Sequence, residues 1–339
     1  MIITEVGAGT IGVSWTTLLA GQGQDLADAG AAGDAGDAGG VDQVVVTDPR
    51  DDLAEVVETG VRQFAPSLGL DPDDVLRRVR CEPDLETAVA GAAVVQEQGP
   101  EDLDVKRALF ARIGAAAPAD ALLLTSTSGL APTDIARDLD DAVAARLVVA
   151  HPFNPPHLLP LVEIVAGTRT SAATVDRADG FLRAAGKDPV VLRREISGFV
   201  ANRLQSALFR EAVHLVRSGV VDAGELDRVV TGSLGPRWAT GGPFLSFHLG
   251  GGAGGLRHML AHLGPGMERR WRDLGDPRLD DETVDALATA TEQAYGTGAA
   301  GTADAADHYA ALTSARDRAE AAVLAARDVG THDDHQERG

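Results

Sequence analysis

A chain of 339 residues with 44% hydrophobic content and mean hydropathy near zero is long enough for two globular domains. Its formal net charge of −21 excludes nucleic acid and anionic membranes as expected partners, because both require a basic surface. The single cysteine, Cys81, excludes an internal disulfide and, with no predicted signal peptide or membrane-spanning run, indicates a cytoplasmic protein.

The glycine-rich motif GAGTIG follows a short predicted strand and precedes a helical pattern, as a dinucleotide-binding fingerprint requires. Gly7 permits the tight turn, Gly9 leaves room for a pyrophosphate, and Gly12 lets helix and strand pack closely. The helix N-terminus then offers N–H groups and a positive dipole end to the phosphates. Glu5 is unexpected in the strand, where an apolar residue is normal. The predicted cofactor contacts of this motif are Gly7, Gly9, Thr10, Ile11 and Gly12.

An acidic residue at the end of the second strand completes such a fingerprint, and Asp48 follows the run VVVT. The distance from Gly12 to Asp48 exceeds the usual spacing of about 20 residues. Residues 24–40 are a low-complexity run of glycine, alanine and aspartate, and we interpret them as a mobile insertion that explains the surplus. Asp48 favours NAD over NADP by repelling a 2′-phosphate, although the nearby Arg50 leaves NADP open.

Apolar runs alternate with helical patterns as far as residue 151, which predicts a doubly wound parallel sheet of the Rossmann type. Ligands of such sheets bind outside the carboxyl ends of the strands. Glu97, Ser128 and His151 all come at or just after these ends, so we expect them to share one site. The predicted buried strands include residues 92–96, 121–124 and 146–150.

The stretch HPFNPPHLLPLVEIV places His151 at the end of a buried strand and Glu163 inside the next apolar run. An unpaired carboxylate in such a run is costly, so Glu163 needs a partner. A return of the chain through the proline-rich loop would bring it against His151, where a carboxylate orients an imidazole and stabilises its protonated form. The pair predicts a general base, and a core histidine with an edge-strand glutamate is the alternative.

A long helix is predicted from residue 198 to 217, with Ser197 as its N-cap. Its apolar stripe has helical spacing, and Asn202 lies on a second face with aromatic neighbours. We interpret Asn202 as a cleft residue, with a solvated surface asparagine as the alternative.

The composition shifts near Arg193, beyond which the chain is mostly helical. We therefore expect an α/β domain over residues 1–192, an all-α carboxyl-terminal domain over 193–330, and a disordered tail over 331–339. The spacing of the histidines, the cysteine and the acidic residues does not suggest a metal site, and we expect none.

With these motifs in view, the chain resembles the 3-hydroxyacyl-CoA dehydrogenase family over nearly its whole length. The matching pieces, in family order, are GAGTIG, VQEQGPEDLDVK, TSTSGL, HPFNPPHLLPLVEIV and SGFVANRLQSALFREA. The resemblance implies a Rossmann domain that binds NAD, followed by a helical domain that forms most of a homodimer interface. Two departures are the insertion at 24–40 and Gly129, which replaces a serine common in the family.

The resemblance also implies roles for single residues. His151 is the expected catalytic base with Glu163 as its orienting partner, and Ser128 and Asn202 are expected to bind the reacting oxygen of a small-molecule substrate. Glu101 and Lys106 resemble positions that contact NAD on its nicotinamide side. With Glu97, placed here by its strand end, the expected cofactor contacts of this side are Glu97, Glu101 and Lys106.

The family includes acyl-CoA enzymes and relatives that oxidise free 3-hydroxy acids, such as L-carnitine and L-gulonate dehydrogenases. The carboxyl-terminal half resembles the second group, and the segment after Asp48 is acidic where CoA enzymes are lysine-rich. We therefore expect NAD-dependent interconversion of a small free L-3-hydroxy acid and its 3-oxo acid. Action on CoA thioesters in fatty-acid metabolism is the alternative, because Arg77, Arg78 and Arg80 could compensate the acidic residues.

The sequence disfavours two other functions. A dehydrogenase with a lysine acid/base is disfavoured, because Lys106 and Lys187 lie away from the place expected for such a group. An NAD sensor without turnover is disfavoured by the joint presence of the four predicted catalytic residues.

Overall fold

The computed structural model describes residues 1–23, 40–296 and 303–331. The chain divides into two compact units, Met1–Asn202 and Arg203–Gly339. The domain boundary predicted after residue 192 falls earlier than this division. Most of the predicted insertion at 24–40 and of the predicted tail at 331–339 lies outside the described residues.

The first unit is built on one eight-stranded sheet, with the strand order β3-β2-β1-β4-β5-β6-β7-β8. Its strands are β1 (Ile2–Val6), β2 (Gln43–Thr47), β3 (Val79–Cys81), β4 (Val94–Glu97), β5 (Leu122–Thr125), β6 (Leu147–Pro152), β7 (Leu161–Ala166) and β8 (Asp188–Val191). Neighbours from β3 to β6 are parallel, as in doubly wound dinucleotide-binding sheets, so the predicted α/β fold class is confirmed.

Helices cover both faces of this sheet, so its central strands are buried along almost their whole length. The helices are α1 (Thr10–Gln22), α2 (Leu53–Phe64), α3 (Pro72–Leu76), α4 (Leu85–Val89), α5 (Leu103–Ala116), α6 (Pro132–Ile135), α7 (Asp141–Ala144) and α8 (Ala172–Ala184); a 3₁₀ turn, Ala65–Leu68, follows α2. One buried hydrophobic cluster joins the sheet to α1, α2 and α8, and another joins it to α4, α5 and α6.

The last part of the sheet reverses direction. β7 runs antiparallel to β6, with His151 directly opposite Glu163, and β8 is parallel to β7. The predicted return through the proline-rich loop is therefore confirmed. β6 continues through Pro152, beyond its predicted end at residue 150, because its pairing with β7 extends that far.

The described part of the second unit contains helices and no strand, as expected for an all-α domain. The helices are α9 (Ala201–Arg217, which begins in the first unit), α10 (Ala223–Val229), α11 (Gly235–Gly250, kinked at Gly242), α12 (Gly255–Asp273), α13 (Asp281–Tyr295) and α14 (Ala303–Thr331); Val230–Leu234 is a π-helical turn and Gly252–Gly254 a 3₁₀ turn. None of the described helices is long and apolar enough to cross a membrane.

One predicted helix boundary is wrong. The helix expected to start at residue 198 behind Ser197 begins at Ala201 instead. Gly198 and Phe199 have positive φ angles of 71° and 49°, which an α-helix cannot contain. The first N–H groups of the helix donate to the carboxylate of Glu163, a residue that no local sequence pattern connects to this helix end.

The unexpected Glu5 is completely buried in β1. Its Oε2 accepts a hydrogen bond of 2.5 Å from Nε2 of Gln98, while Oε1 has no hydrogen-bond partner in the described residues. Burial raises the pKa of Glu5 to about 8, and the hydrogen bond from Gln98 opposes this rise only in part. Glu5 is therefore a neutral carboxylic acid at pH 7.

We expect Glu5→Gln to change how stability depends on pH. Because the pKa of Glu5 is about 8 in the folded state and 4.5 for an ordinary exposed glutamate, the folded state holds a proton that the unfolded state releases. Between about pH 5 and about pH 8, the free energy of unfolding of the wild-type protein should therefore fall relative to that of the variant, by on the order of a few kcal/mol. Urea unfolding across this range measures the difference. The exposed Glu55→Gln is the matched control, and parallel curves for wild type and Glu5→Gln would contradict the assignment.

Candidate active site

The centre of the site is a buried pair formed by His151 and Glu163, whose strands place them side by side. His151 Nδ1 lies 2.9 Å from Glu163 Oε2. Burial alone would raise the pKa of Glu163, but hydrogen bonds from His151, Ala201 and Val200 outweigh it and lower the pKa. An ionised carboxylate only accepts hydrogen bonds, so Nδ1 carries the hydrogen and Nε2 keeps its lone pair for a proton.

Glu163 also fixes the start of α9. Its second oxygen, Oε1, accepts hydrogen bonds of 2.9 Å and 3.1 Å from the N–H groups of Val200 and Ala201. These groups have no partner inside the helix, and a negative charge is favourable at this end of it. One carboxylate thus sets both the orientation of His151 and the position of the helix that carries Asn202.

Asn202 and Ser128 are brought together at this helix start. Asn202 Nδ2 donates a 2.7 Å hydrogen bond to the backbone carbonyl of Ser128, in the loop after β5. Hydrogen bonds therefore connect the four predicted catalytic residues in two pairs, which meet at the first turn of α9. Their roles in catalysis stay predictions.

Two phenylalanine rings flank the imidazole. Phe153 is half-buried and edge-on to His151, with ring centroids 4.9 Å apart, and Phe199 is buried at 5.4 Å. Phe199 packs on Val149 and Val165 while its backbone has the positive φ described above. The sequence gives no local signal for this conformation, because bulky residues rarely adopt it.

The loop that carries Ser128 is organised by Glu101. One carboxylate oxygen, Oε1, accepts from the hydroxyl of Thr127 at 2.6 Å, the N–H and hydroxyl of Ser128 at 2.9 Å and 3.2 Å, and the N–H of Gly129 at 3.0 Å. Glu101 is 41% exposed, so it remains accessible to a cofactor. The hydroxyl-rich run TSTS was the sequence signal for this cluster, but it did not single out Thr127.

Glu97 and Lys106 form a buried ion pair below this loop. Lys106 Nζ donates to both oxygens of Glu97, at 2.7 Å and 2.9 Å, and is 1% exposed. Glu97 also accepts from the hydroxyl of Thr125 and the N–H of Gly99, each at 2.6 Å. Such a fully partnered pair supports the loops on either side of it. Direct contact of either residue with NAD stays a prediction.

The glycine motif has the geometry that a dinucleotide requires. Gly7 has a φ of 115°, and a Cβ on Gly12 would lie 1.9 Å from the carbonyl oxygen of Gly7. At Gly9, the N-cap of α1, a Cβ would have no atom within 4 Å, and α1 has no side-chain cap. The open space and the uncapped N–H groups fit a pyrophosphate. Thr10 and Ile11 begin α1 beside it.

Asp48 and Arg50 are the residues on which the predicted choice between NAD and NADP depends. Asp48 accepts hydrogen bonds from the N–H groups of Ala8 at 2.9 Å and Arg50 at 3.1 Å, so it lies against the glycine loop. The guanidinium of Arg50 donates to both oxygens of Asp52, at 2.6 Å and 3.1 Å. Because Arg50 is already paired, it does not offer a free partner to a 2′-phosphate, and the arrangement favours NAD.

The first unit therefore combines a dinucleotide cradle with a buried imidazole that has one nitrogen available for proton transfer. In the described parts of the chain, no group of three or more His, Cys, Asp and Glu side chains could hold a metal ion. The arrangement suits acid–base chemistry beside a nicotinamide.

Comparison with known proteins gives the same result. Residues 2–196 match the family model of the 3-hydroxyacyl-CoA dehydrogenase NAD-binding domain, and residues 198–288 match that of its carboxyl-terminal domain. L-carnitine dehydrogenase of Streptomyces griseus is 42% identical over 292 residues, 85% of this chain and 81% of that protein. The Pseudomonas putida L-carnitine dehydrogenase is 37% identical over 303 residues, 87% and 88% of the two chains.

A solved structure extends the likeness to the fold of nearly the whole chain. It is a 5-formyl-3-hydroxy-2-methylpyridine-4-carboxylic acid 5-dehydrogenase, an NAD⁺-dependent dismutase, with a TM-score of 0.74 and 25% identity over 96% of this chain and 98% of that one. The match to the NAD-binding family model includes both the glycine motif and the histidine–glutamate pair. The chain belongs to the 3-hydroxyacyl-CoA dehydrogenase family and is an NAD-dependent oxidoreductase that acts on CH–OH groups.

Proposed function

We propose that the protein interconverts a small free L-3-hydroxy acid with its 3-oxo acid, and that the preferred substrate carries a cationic group, as L-carnitine does. Relatives named L-carnitine dehydrogenase, at 36–42% identity, support this choice. The observation that carries it is the state of the arginines near α2, all of which are bonded within the protein.

The surface beside the glycine loop is acidic. A cavity of about 270 Å³ runs from Gly9 and Thr10 along α2 to Phe64, and its charged lining residues are Glu55 and Asp52, of which Asp52 is paired with Arg50. Carboxylates at such a place attract a cation and repel the phosphates of CoA.

The arginines that could compensate this charge are not free to do so. Arg62 pairs with Glu58 at 3.0 Å and Asp73 at 2.9 Å, Arg77 pairs with Asp74, Arg78 donates to the carbonyl of Ala20 at 3.0 Å, and Arg80 pairs with Glu82 at 2.9 Å. A CoA phosphate would have to compete with each of these contacts. The arrangement therefore favours a free acid over a CoA thioester.

The rings beside His151 support a quaternary ammonium group in particular. Aromatic faces attract such cations, and Phe153 lies half-buried next to the reacting imidazole. L-gulonate offers hydroxyl groups and no cation, so the same rings give it no matching interaction.

The proposed reaction uses the four residues in the roles that the sequence suggests. His151 Nε2 takes the proton of the substrate hydroxyl, and Glu163 stabilises the imidazolium that forms. The second N–H of Asn202 Nδ2 holds the oxygen, together with the hydroxyl of Ser128 once that hydroxyl turns away from Glu101 Oε1, so that the C–H bond is correctly directed. The glycine motif would hold NAD, which would supply the acceptor for the hydride.

A substrate panel tests this proposal. We expect NAD reduction with L-carnitine to exceed that with L-gulonate, L-3-hydroxybutyrate and its CoA thioester by about tenfold or more in kcat/KM. Higher kcat/KM for the CoA thioester would instead support the alternative, an enzyme of fatty-acid metabolism.

His151→Ala should lose most of the turnover while still binding NADH, measured by fluorescence.

The orienting role of Glu163 has a sharper test in Glu163→Gln. The amide can still accept from the N–H groups of Val200 and Ala201 through its oxygen, which turns its NH₂ toward His151. His151 Nδ1 must then accept, and Nε2 carries the hydrogen in the neutral ring, so it cannot take the substrate proton. We expect kcat to fall by about 10²–10⁴ with NADH affinity and melting temperature nearly unchanged. A kcat within about threefold of wild type would show that Glu163 does not set the tautomer.

The proposed oligomer is a homodimer formed through the second unit. The 16-residue helix α11 has no buried residue, although it carries Phe244, 79% exposed, and Leu249, 68% exposed. The neighbouring α12 exposes Trp271 at 62%. An extended apolar face of this kind is typical of an interaction surface, and we assign it to a second copy of the chain.

Sedimentation or light scattering tests the dimer. We expect the wild-type protein to have twice the mass of the chain, and a Phe244→Asp, Leu249→Asp double variant to be a monomer, because two charges on this face oppose burial. Leu279→Asp, at an equally exposed leucine outside α11 and α12, is the control and should remain dimeric. A monomeric wild type would contradict the proposal.

The proposed location is the cytoplasm. Cys81 is a free thiol, and burial raises its pKa, so the thiol stays protonated and poorly reactive. A chain whose single cysteine is kept reduced suits a reducing compartment.

A further inference from the structure

Residues 153–160, which we call the substrate loop, connect the strand of His151 to the strand of Glu163. The loop begins with Phe153, whose ring lies against the imidazole. Any displacement of the loop therefore changes the wall beside the reacting group. Two contacts hold the loop from below, and neither takes part in the proposed chemistry.

The first contact is made by Lys187. Its ammonium group is buried, and Nζ donates to the carbonyl oxygens of Pro156 and, at 3.2 Å, of Leu159. It lies 5.3 Å from the centre of the Trp15 ring, and none of the described ion pairs includes it. Burial lowers the pKa of Lys187 to about 8. Burial of an ammonium group without a carboxylate partner is energetically costly, so the hydrogen bonds to the loop carbonyls stabilise this charge.

The second contact is made by His157. Its backbone N–H donates to Ser14 Oγ at 2.9 Å, and its Nδ1 lies 2.8 Å from the same oxygen. The hydroxyl oxygen accepts from the backbone N–H, and the same hydroxyl is hydrogen-bonded to Nδ1 of the ring. The imidazole also stacks on Phe64, with ring centroids 4.6 Å apart. Ser14, which forms this contact, is completely buried.

Both contacts end on α1, at the consecutive residues Ser14 and Trp15. The same helix begins at the glycine motif and offers its N-terminus to the cofactor. We propose that Ser14, His157 and Lys187 are positioning residues, which hold the substrate loop on the cofactor helix and so make substrate affinity depend on that helix.

The inference extends the proposed function, since it concerns the same reaction. Because the pairing of β6 with β7 already holds His151 against Glu163, loss of an anchor should displace the loop without separating the catalytic pair. The main effect should therefore appear in KM for the hydroxy acid, with smaller effects on kcat and on the Kd of NADH.

Ser14→Ala and Lys187→Met test the two anchors separately. Each should raise KM for the hydroxy acid by about five- to tenfold, with kcat within about threefold and the Kd of NADH within about twofold of wild type. Lys187→Arg keeps the donors and the charge and should restore most of the affinity. Thr17→Val is the matched control, because its buried hydroxyl bonds only within α1, to the carbonyl of Val13. It should leave all three constants unchanged.

Hydrogen–deuterium exchange of the substrate loop gives a second readout that needs no substrate. NADH should slow exchange of residues 153–160 in the wild type and in Thr17→Val, and should slow it less in Ser14→Ala, which is the milder variant if Lys187→Met folds poorly. This result would stand even if the substrate panel failed. An unchanged KM and wild-type loop exchange in Ser14→Ala would overturn the proposal, as would an NADH affinity that falls as much as the substrate affinity.

Discussion

The carboxylate of Glu163 is the interaction on which the rest of the site depends. One of its oxygens holds His151 and the other receives the first N–H groups of α9, so a single buried charge joins a strand pair to a helix. Burial alone would favour the protonated acid, and the hydrogen bonds from His151 and from the helix end together outweigh it and lower the pKa of Glu163. The helix stabilises the charge, and the charge in turn places Asn202 next to the loop of Ser128.

Paired charges also organise the cofactor side of the molecule. Arg50 is bound to Asp52, so Asp48 stands without a competing cation at the ribose end of the fingerprint. Below the loop of Ser128, Lys106 and Glu97 neutralise each other in the interior. The carboxylate of Glu101 remains partly exposed above them and organises the loop that supplies Ser128. The chain has a strongly negative total charge, yet nearly every buried charge of this site has a specific partner.

The sequence predicted the features that follow from local pattern or from a large energetic penalty. The glycine motif, the alternating strands and helices, and the need of Glu163 for a partner are of this kind, and the structure has all three. It did not predict that α9 starts at Ala201, because the capping group comes from a distant strand and the turn before it contains a left-handed Phe199. The hydrogen-bond partners of Lys187 could not be predicted either, because a buried lysine bonded to carbonyl oxygens leaves no periodic or motif signal in the sequence.

The left-handed conformation of Phe199 has a consequence for how the protein could be altered over evolution or by design. In this region of conformational space, a residue with a side chain has a backbone strain of about 1–3 kcal/mol, which glycine does not have. The ring is nevertheless packed against the imidazole, so a glycine there would relax the backbone and remove support from the catalytic group at once. Because loss of a buried phenylalanine ring costs about 3–5 kcal/mol, more than the strain that glycine would relieve, the stability of the fold and the support of the catalytic group both keep the aromatic side chain at this position.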